Sequence, residues 1–263
     1  MSQNLYASGE IFYDKSGVTL WKGDCLDTLR SGKVAPPDLI ITSPPYNIDI
    51  GYNSVNDKVP YSQYLGFIED VLYRLFVASK LDTRLALNVP IDVSKNGNYP
   101  VGMDICTRAQ KAGWKYKSTI VWNKRMTTRR NAWGSFKSAS SPMLYAPCEF
   151  INIFYKEQWK KERRGKDDIT KEEFMEYAYA YWEFNGEHRA RNSHPAPFPV
   201  QLPYRLIKFL SYKGDVILDP FAGSGTTLLV ARKLERLAVG IEIDEKYCEM
   251  IKARIENDFG LFA

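Results

Sequence analysis

Two stretches of this chain collect, at the end of a buried strand, residue types that can do chemistry. In the first, Asp38-Leu-Ile-Ile-Thr42-Ser43-Pro44-Pro45-Tyr46-Asn47, an apolar run stops at a serine followed by two prolines and a tyrosine. Successive prolines fix φ and hold the residue before them extended, so the backbone carbonyls near Ser43 and Pro44 point outward instead of joining a helix. A hydroxyl, rigid carbonyl acceptors and an aromatic face can grip a planar ring that carries an amino group: the acceptors take the amino protons while Tyr46 stacks. As a bare turn, a Pro-Pro step means little.

The second stretch, Asp215-Val-Ile-Leu-Asp219-Pro220-Phe221-Ala222-Gly223-Ser224-Gly225-Thr226-Thr227, reads as a strand, a Gly-rich turn and a helix start. Glycines at the carboxyl end of a parallel strand let a ligand approach the backbone closely. Glu242 closes the next strand, where a carboxylate can accept from both hydroxyls of a ribose. The series Gly223-Ser-Gly225-Thr-Thr-Leu228 lacks the third small residue of a dinucleotide site, and no Gly-Lys-Ser/Thr of a phosphate loop is present. Asp219 at the mouth of the turn suits a cationic group, such as the amine of an amino-acid moiety; the alternative is a plain strand-to-helix turn.

Holding two such loops side by side requires a sheet. Short apolar runs at 18–21, 38–42, 84–89, 118–122, 149–155, 215–219 and 237–241 alternate with helix-period stretches at 61–79, 102–112, 201–211, 226–234 and 245–255. That alternation predicts a doubly wound α/β fold on a mostly parallel, seven-stranded sheet. Two stretches break the rhythm. Residues 46–60 are polar and aperiodic, a connector or a lid. Residues 156–192 pass from basic to acidic to aromatic, as an insertion carried by the sheet does.

Composition bounds the remaining classes. The 263 residues are 44% hydrophobic, enough for a sizeable core, and the formal charge of +5 is too small to name a partner. No run reaches the roughly 20 apolar residues of a membrane helix, and the first ten lack a signal pattern, so a cytoplasmic protein is expected. Cys25, Cys106, Cys148 and Cys248 are spaced for neither a zinc site nor a disulfide framework, and His188 with His194 lacks companion ligands, so no metal is expected.

Together the two loops resemble those of the DNA amino-methyltransferases that use S-adenosylmethionine. Ser43-Pro44-Pro45-Tyr46 matches that family's catalytic loop, and Asp219-Pro-Phe221-Ala222-Gly223-Ser224-Gly225-Thr226 its cofactor loop. Gly23-Asp24-Cys25 resembles the motif whose aspartate meets the adenine amino group. Ile120 to Lys124 and His194-Pro-Ala-Pro-Phe198-Pro199 resemble two more motifs, the latter lying against the cofactor. The resemblance covers nearly the whole chain outside 156–192 and has the β-group order, catalytic loop first. It implies a Rossmann-like methyltransferase sheet with one antiparallel strand, entered at the family's third strand and closed by its first two. By the same token it implies a catalytic part at 1–155, a target-recognition insertion at 156–192 and a cofactor-binding part at 193–263. Cofactor contacts are expected at Asp24, Cys25, Phe198, Asp219, Phe221, Ala222, Gly223, Ser224, Gly225, Thr226 and Glu242.

Serine before the two prolines is associated in that family with cytosine N4, and aspartate or asparagine with adenine N6. The resemblance therefore implies N4-methylcytosine, with adenine N6 as alternative, made on a base flipped out of duplex DNA. Carbon-5 methylation would need a cysteine nucleophile, and Pro147-Cys148, lacking its usual partner motif, reads as structural. The five cations of 124–137 equal the whole net charge with no acid among them. Lys124, Arg125, Arg129, Arg130 and Lys137, interleaved with Trp133, are the expected DNA contacts. Residues 156–166 add six basic and two acidic residues, which predicts one polarised face. A cognate restriction endonuclease and a homodimer fit the same resemblance. An RNA or protein-glutamine methyltransferase, or a silent DNA-binding protein on this fold, are the competing functions.

Overall fold

The computed structural model describes residues 9–46, 59–93, 98–125, 134–144, 146–186 and 199–257. In chain order the elements are β1 (Glu10–Lys15), β2 (Val18–Lys22), α1 (Cys25–Arg30), β3 (Leu39–Thr42), α2 (Tyr61–Ala78), β4 (Arg84–Pro90), α3 (Val101–Lys111), β5 (Lys115–Asn123) and β6 (Cys148–Tyr155). There follow α4 (Lys171–Tyr177), β7 (Tyr181–Glu183), α5 (Gln201–Leu210), β8 (Val216–Asp219), α6 (Thr226–Lys233), β9 (Leu237–Glu242) and α7 (Glu245–Glu256). Among the described residues the strands form one sheet in the order β1-β2-β9-β8-β3-β4-β6-β5-β7.

The central strands β3 and β8 are short and apolar up to their last residues, Thr42 and Asp219, because both faces are covered, as parallel sheets require. In β3, Leu39 and Ile41 enter one core and Ile40 the other; Ile217 and Leu218 of β8 divide in the same way. Apolar faces of α5, α6 and α7 complete the first core, and those of α1, α2 and α3 the second. The seven expected strands are all present, and of these only β6 runs against the rest, antiparallel to β4 and β5.

Two edge strands extend the expected sheet. The β1 strand folds back on β2 through Ser16 and Gly17, whose φ values of 55° and 76° suit a tight two-residue hairpin turn. At the other edge the three residues of β7 pair in parallel with β5. Trp182 of β7 is buried against Tyr177 and Phe184, and Phe184 stacks on Trp122 of β5. The stretch expected as an insertion is thus fastened to the sheet at β7.

Because β6 descends, the chain leaves it at the amino-terminal edge of the parallel strands, where Tyr155 pairs with Arg84 at the start of β4. Lys161 is buried there, its Nζ 2.9 Å from the Asp38 carbonyl oxygen. Arg236, with no side-chain exposure, donates to both oxygens of Asp168 at 2.5 and 2.8 Å and to the Ser211 carbonyl. The basic run 156–166 therefore begins at the edge opposite the two loops. Among the described residues the two basic runs thus leave the sheet at opposite edges, 124–125 after β5 at the carboxyl edge and 156–166 after β6 at the other, since an antiparallel strand delivers its successor to the far side. The single charged face expected from the sequence is not what this placement favours.

Candidate active site

Strands β3 and β8 are direct neighbours in parallel register, Leu39 opposite Ile217 and Ile40 opposite Leu218. Asp38 secures that register: its N–H donates to the Val216 carbonyl and its Oδ2 accepts from the Val216 N–H, both at 2.8 Å. The loops leaving Thr42 and Asp219 consequently open at one carboxyl edge, which the ends of β2, β4 and β9 share. The side-by-side arrangement expected from the motifs is observed.

The second loop is built for close approach. Gly223 and Gly225 have φ of 52° and 76°, and Gly225 precedes α6 as its cap. A Cβ on Gly225 would lie 2.7 Å from Ile251 Cγ1, so α7 packs against the bare backbone. Behind the loop, Gly240 of β9 leaves room for Leu228 and Ala222. The Gly223 N–H donates to Glu242 Oε2 at 2.7 Å, and the Asp244 N–H to Oε1 at 2.9 Å. Ser224 and Thr226 are buried with their hydroxyls 3.4 Å apart, and Phe221 leans on Phe67.

Both carboxylates here are buried and resist ionisation. Burial pushes Asp219 up to about 6, against the Phe221 N–H that donates to Oδ1 at 3.1 Å. The hydroxyls of Thr227 and Thr42 also face Asp219 and favour its charge, although neither closes a hydrogen bond of ordinary geometry. Thr42, the residue before Ser43, thereby joins the two loops. Burial likewise pushes Glu242 up to about 7, opposed by the N–H groups of Asp244 and Gly223. Asp219, which takes one backbone N–H, and Glu242, which takes one on each oxygen, are both still pushed toward the neutral form by burial, and they suit a ligand that brings a cation and hydroxyl donors.

Asp24 stands at the same edge, where the Gly23 N–H reaches the Glu242 carbonyl at 2.9 Å. Its Oδ1 caps α1 by accepting from Leu26 and Asp27. Cys25 turns its side chain into the core of α1 and α2, where burial raises its thiol well above the usual range. That side chain is not offered to the mouth, so Cys25 can contribute there only through its backbone. Phe198 and His194, with His188, Arg189 and Arg191, lie outside the described residues.

In the first loop Pro44 is buried, with Ser43, Pro45 and Tyr46 half-buried. Ser43 Oγ and Tyr46 Oη are hydrogen-bonded to each other. Tyr46 Oη also lies 3.3 Å from Asn88 Nδ2 and 3.5 Å from the Asn88 carbonyl oxygen. Asn88 Nδ2 donates to Glu149 Oε2 at 2.6 Å, and Glu149 Oε1 pairs with Lys124 Nζ. Asn88 and Glu149 are absent from the residues that the sequence motifs single out. Each is a polar residue inside an apolar strand, the signal that could have found them.

The expected DNA contacts are only partly placed. Lys124 is paired with Glu149, and Arg125 Nε with Glu183 Oε1 at 2.6 Å, so two of the five cations are offset by acids from neighbouring strands. Lys137 is exposed, with Nζ 5.5 Å from the Phe136 ring centroid. Arg129, Arg130 and Trp133 lie outside the described residues, as do 47–58 of the polar loop.

Residues 37–253 match the profile of a family described as DNA methylase. The Type II methyltransferase M.MjaVI of Methanocaldococcus jannaschii is 46% identical over 65% of this chain and 88% of its own length. The Type II methyltransferase M.ScaI of Streptomyces caespitosus is 31% identical over 96% of this chain and 86% of its own. Among solved structures, a DNA modification methylase of Thermus thermophilus in complex with S-adenosyl-L-methionine superposes with a TM-score of 0.71 at 27% identity, covering 90% of this chain and 94% of that one. PvuII DNA methyltransferase (cytosine-N4-specific) does so with 0.73 at 19% identity, covering 97% and 92%, a likeness of fold.

Proposed function

The chain belongs to the DNA methylase family, and from that premise we propose that it transfers the methyl group of S-adenosylmethionine to cytosine N4 of a base flipped out of duplex DNA. The observation that carries this reading is the adjacency of Ser43-Pro-Pro-Tyr46 and the Asp219/Glu242 mouth on neighbouring strands. The residues of the mouth fit the cofactor: Asp219 would hold its ammonium, Glu242 its ribose hydroxyls and Asp24 its adenine, with the backbone of 223–225 open to close approach. When bound, the cofactor supplies an electrophilic methyl group on a sulfonium.

The remaining work falls to the first loop. An exocyclic amino group is a weak nucleophile because its lone pair is delocalised into the ring. Ser43 Oγ and the Pro44 carbonyl accept hydrogen bonds from its two N–H groups and favour the pyramidal form, while Tyr46 stacks on the ring and aims the nitrogen. As the lone pair forms the new N–C bond the electrons of the broken S–C bond return to sulfur, and the nitrogen then gives up one proton to solvent. Alignment and fixed dipoles carry the catalysis, with no covalent enzyme intermediate. Flipping the base costs a few kcal/mol, recovered in this pocket. We assign target recognition to the part of 156–192 that returns to the carboxyl edge with β7, where Glu183 pairs with Asn123, together with the 124–137 segment. The protein acts in the cytoplasm, with a cognate endonuclease and a second copy of itself as its proposed partners.

Expression in a bacterium without DNA methylation, followed by mass spectrometry of digested nucleosides, tests the reading. N4-methyldeoxycytidine is expected; N6-methyldeoxyadenosine overturns the base, and no methylated nucleoside overturns the reaction. Tyr46→Ala should abolish methylation while cofactor affinity, measured by calorimetry, stays within about twofold. Full activity of that variant refutes the stacking role.

A further inference from the structure

Asn88 of β4, Glu149 of β6 and Lys124, the residue after β5, lie on one face at the carboxyl edge of three adjacent strands. Along β4, Leu85, Leu87 and Val89 enter the core beneath α2 and α3, while Ala86 and then Asn88 turn to the opposite face. Ile151 and Ile153 of β6 lie on that face with Glu149, and Ile120 and Trp122 of β5 lead along it to Lys124. At the carboxyl edge, the positions that would continue this apolar row are occupied by an amide, a carboxylate and an ammonium. Glu149 is 8% exposed and Asn88 3%. A buried carboxylate costs several kcal/mol even when paired, and apolar residues of similar volume pack at least as well, so stability does not account for it.

The geometry points to a use. An asparagine amide is nearly symmetric in shape, and its orientation is set by its partners. Glu149 only accepts, so it holds Nδ2 toward itself, and the same Nδ2 reaches Tyr46 Oη. Among the described residues Asn88 Oδ1 is buried without a partner, a cost the arrangement tolerates in keeping the amide turned this way. Lys124 occupies the second oxygen of Glu149. We infer that Glu149, with Lys124 as its counter-ion, is a positioning residue for methyl transfer: it fixes the Asn88 amide, which in turn holds the Tyr46 hydroxyl beside Ser43. The inference rests on the function proposed above, because holding Tyr46 matters only if its ring orients a base.

The test compares Glu149→Leu, which removes the acceptor, with Glu149→Gln, which keeps an acceptor oxygen for Asn88 and loses the ion pair. Initial rates are read as tritiated methyl transfer from S-adenosylmethionine to unmodified plasmid DNA. Misplacing a stacking group by about 1 Å costs on the order of a hundredfold. Glu149→Leu is therefore expected to lower kcat by about 10- to 100-fold, with KM for plasmid and cofactor affinity within about threefold of wild type, and Glu149→Gln to restore kcat to within about threefold. Asn88→Ala, which leaves Glu149 paired with Lys124, should reproduce the loss and covers the case in which the leucine variant does not fold. Equal kcat for the leucine and wild-type proteins, equal losses in the leucine and glutamine variants, or a parallel fall in cofactor affinity would each overturn the inference. Crystal structures of the variants form an arm independent of activity: Tyr46 Oη should leave Asn88 in the leucine variant and stay in the glutamine one, and an unmoved Tyr46 overturns the inference. Should wild type itself methylate no DNA, the functional reading fails while the structural arm still decides whether Glu149 holds Tyr46.

Discussion

Cofactor affinity should depend on pH in a way that one buried carboxylate dominates. Burial raises Glu242 from the ordinary 4.5 to about 7, so in the free protein it is close to half-protonated at neutrality. Charging it in the folded chain above that value costs roughly 3 kcal/mol relative to the unfolded chain. Between the two values the folded form binds more protons than the unfolded form, and the free protein gains stability as pH falls through 7 toward 4.5. Ligand binding runs the other way: ribose hydroxyls donate to the carboxylate and favour its charge, so binding expels the proton and affinity rises with pH. If only ionised Glu242 binds, the change from about pH 5.5 to about pH 7 amounts to roughly 15-fold, and Asp219, displaced to about 6, adds about fourfold. Isothermal titration of S-adenosylmethionine in two buffers of different ionisation enthalpy measures both the affinity and the protons released. Glu242→Gln should bind about 30-fold more weakly near neutral pH, through loss of about 2 kcal/mol of charge-assisted bonds, and should keep only the fourfold dependence. A flat wild-type profile, or a glutamine variant with the full slope, refutes this account of the mouth.

Asp219→Asn should raise unfolding free energy by about 1 kcal/mol at pH 8, because a charge that burial opposes is removed, while lowering cofactor affinity at least about tenfold. Urea unfolding and calorimetry read the two effects, and a variant that binds normally refutes the ammonium contact. Arg236→Met leaves Asp168 and the Ser211 carbonyl without their buried donor and should cost about 3–5 kcal/mol in urea unfolding. A loss under about 1 kcal/mol would mean that this anchor does not hold the 156–186 segment to the sheet.

The parts that a sequence reveals here are those whose constraint is local. Strands such as β3 and β8 stand out because burial on both faces keeps 39–41 and 216–218 apolar up to the final Thr42 and Asp219, and their loops stand out because Pro-Pro and Gly-x-Gly restrict the backbone locally. The β1 strand is largely exposed and lacks an apolar period, and only the Ser16-Gly17 turn marks it. The three residues of β7 are too few to show a period at all; what secures them is Phe184 stacked on Trp122, a contact across about sixty residues. The Lys124–Glu149–Asn88 chain is hidden for a related reason: its members lie in β4, in β6 and just past the end of β5, and only the order β4-β6-β5 assembles them. Charge counting along the chain likewise cannot foresee that Glu149 and Glu183 offset Lys124 and Arg125 across the sheet.

The register clamp between Asp38 and Val216 spans 178 residues of chain. During synthesis at about 5–20 residues per second, β3 waits roughly 10–35 s before β8 exists to pair with it. Throughout that interval Leu39, Ile40 and Ile41 present a bare edge strand with no charge on it, an open template for association with other chains. The pairing that brings the Ser43-Pro-Pro-Tyr46 and Asp219 loops together is thus among the last the ribosome allows. Until then, the Ser43-Pro-Pro-Tyr46 loop hangs from an unpaired apolar edge of the nascent protein.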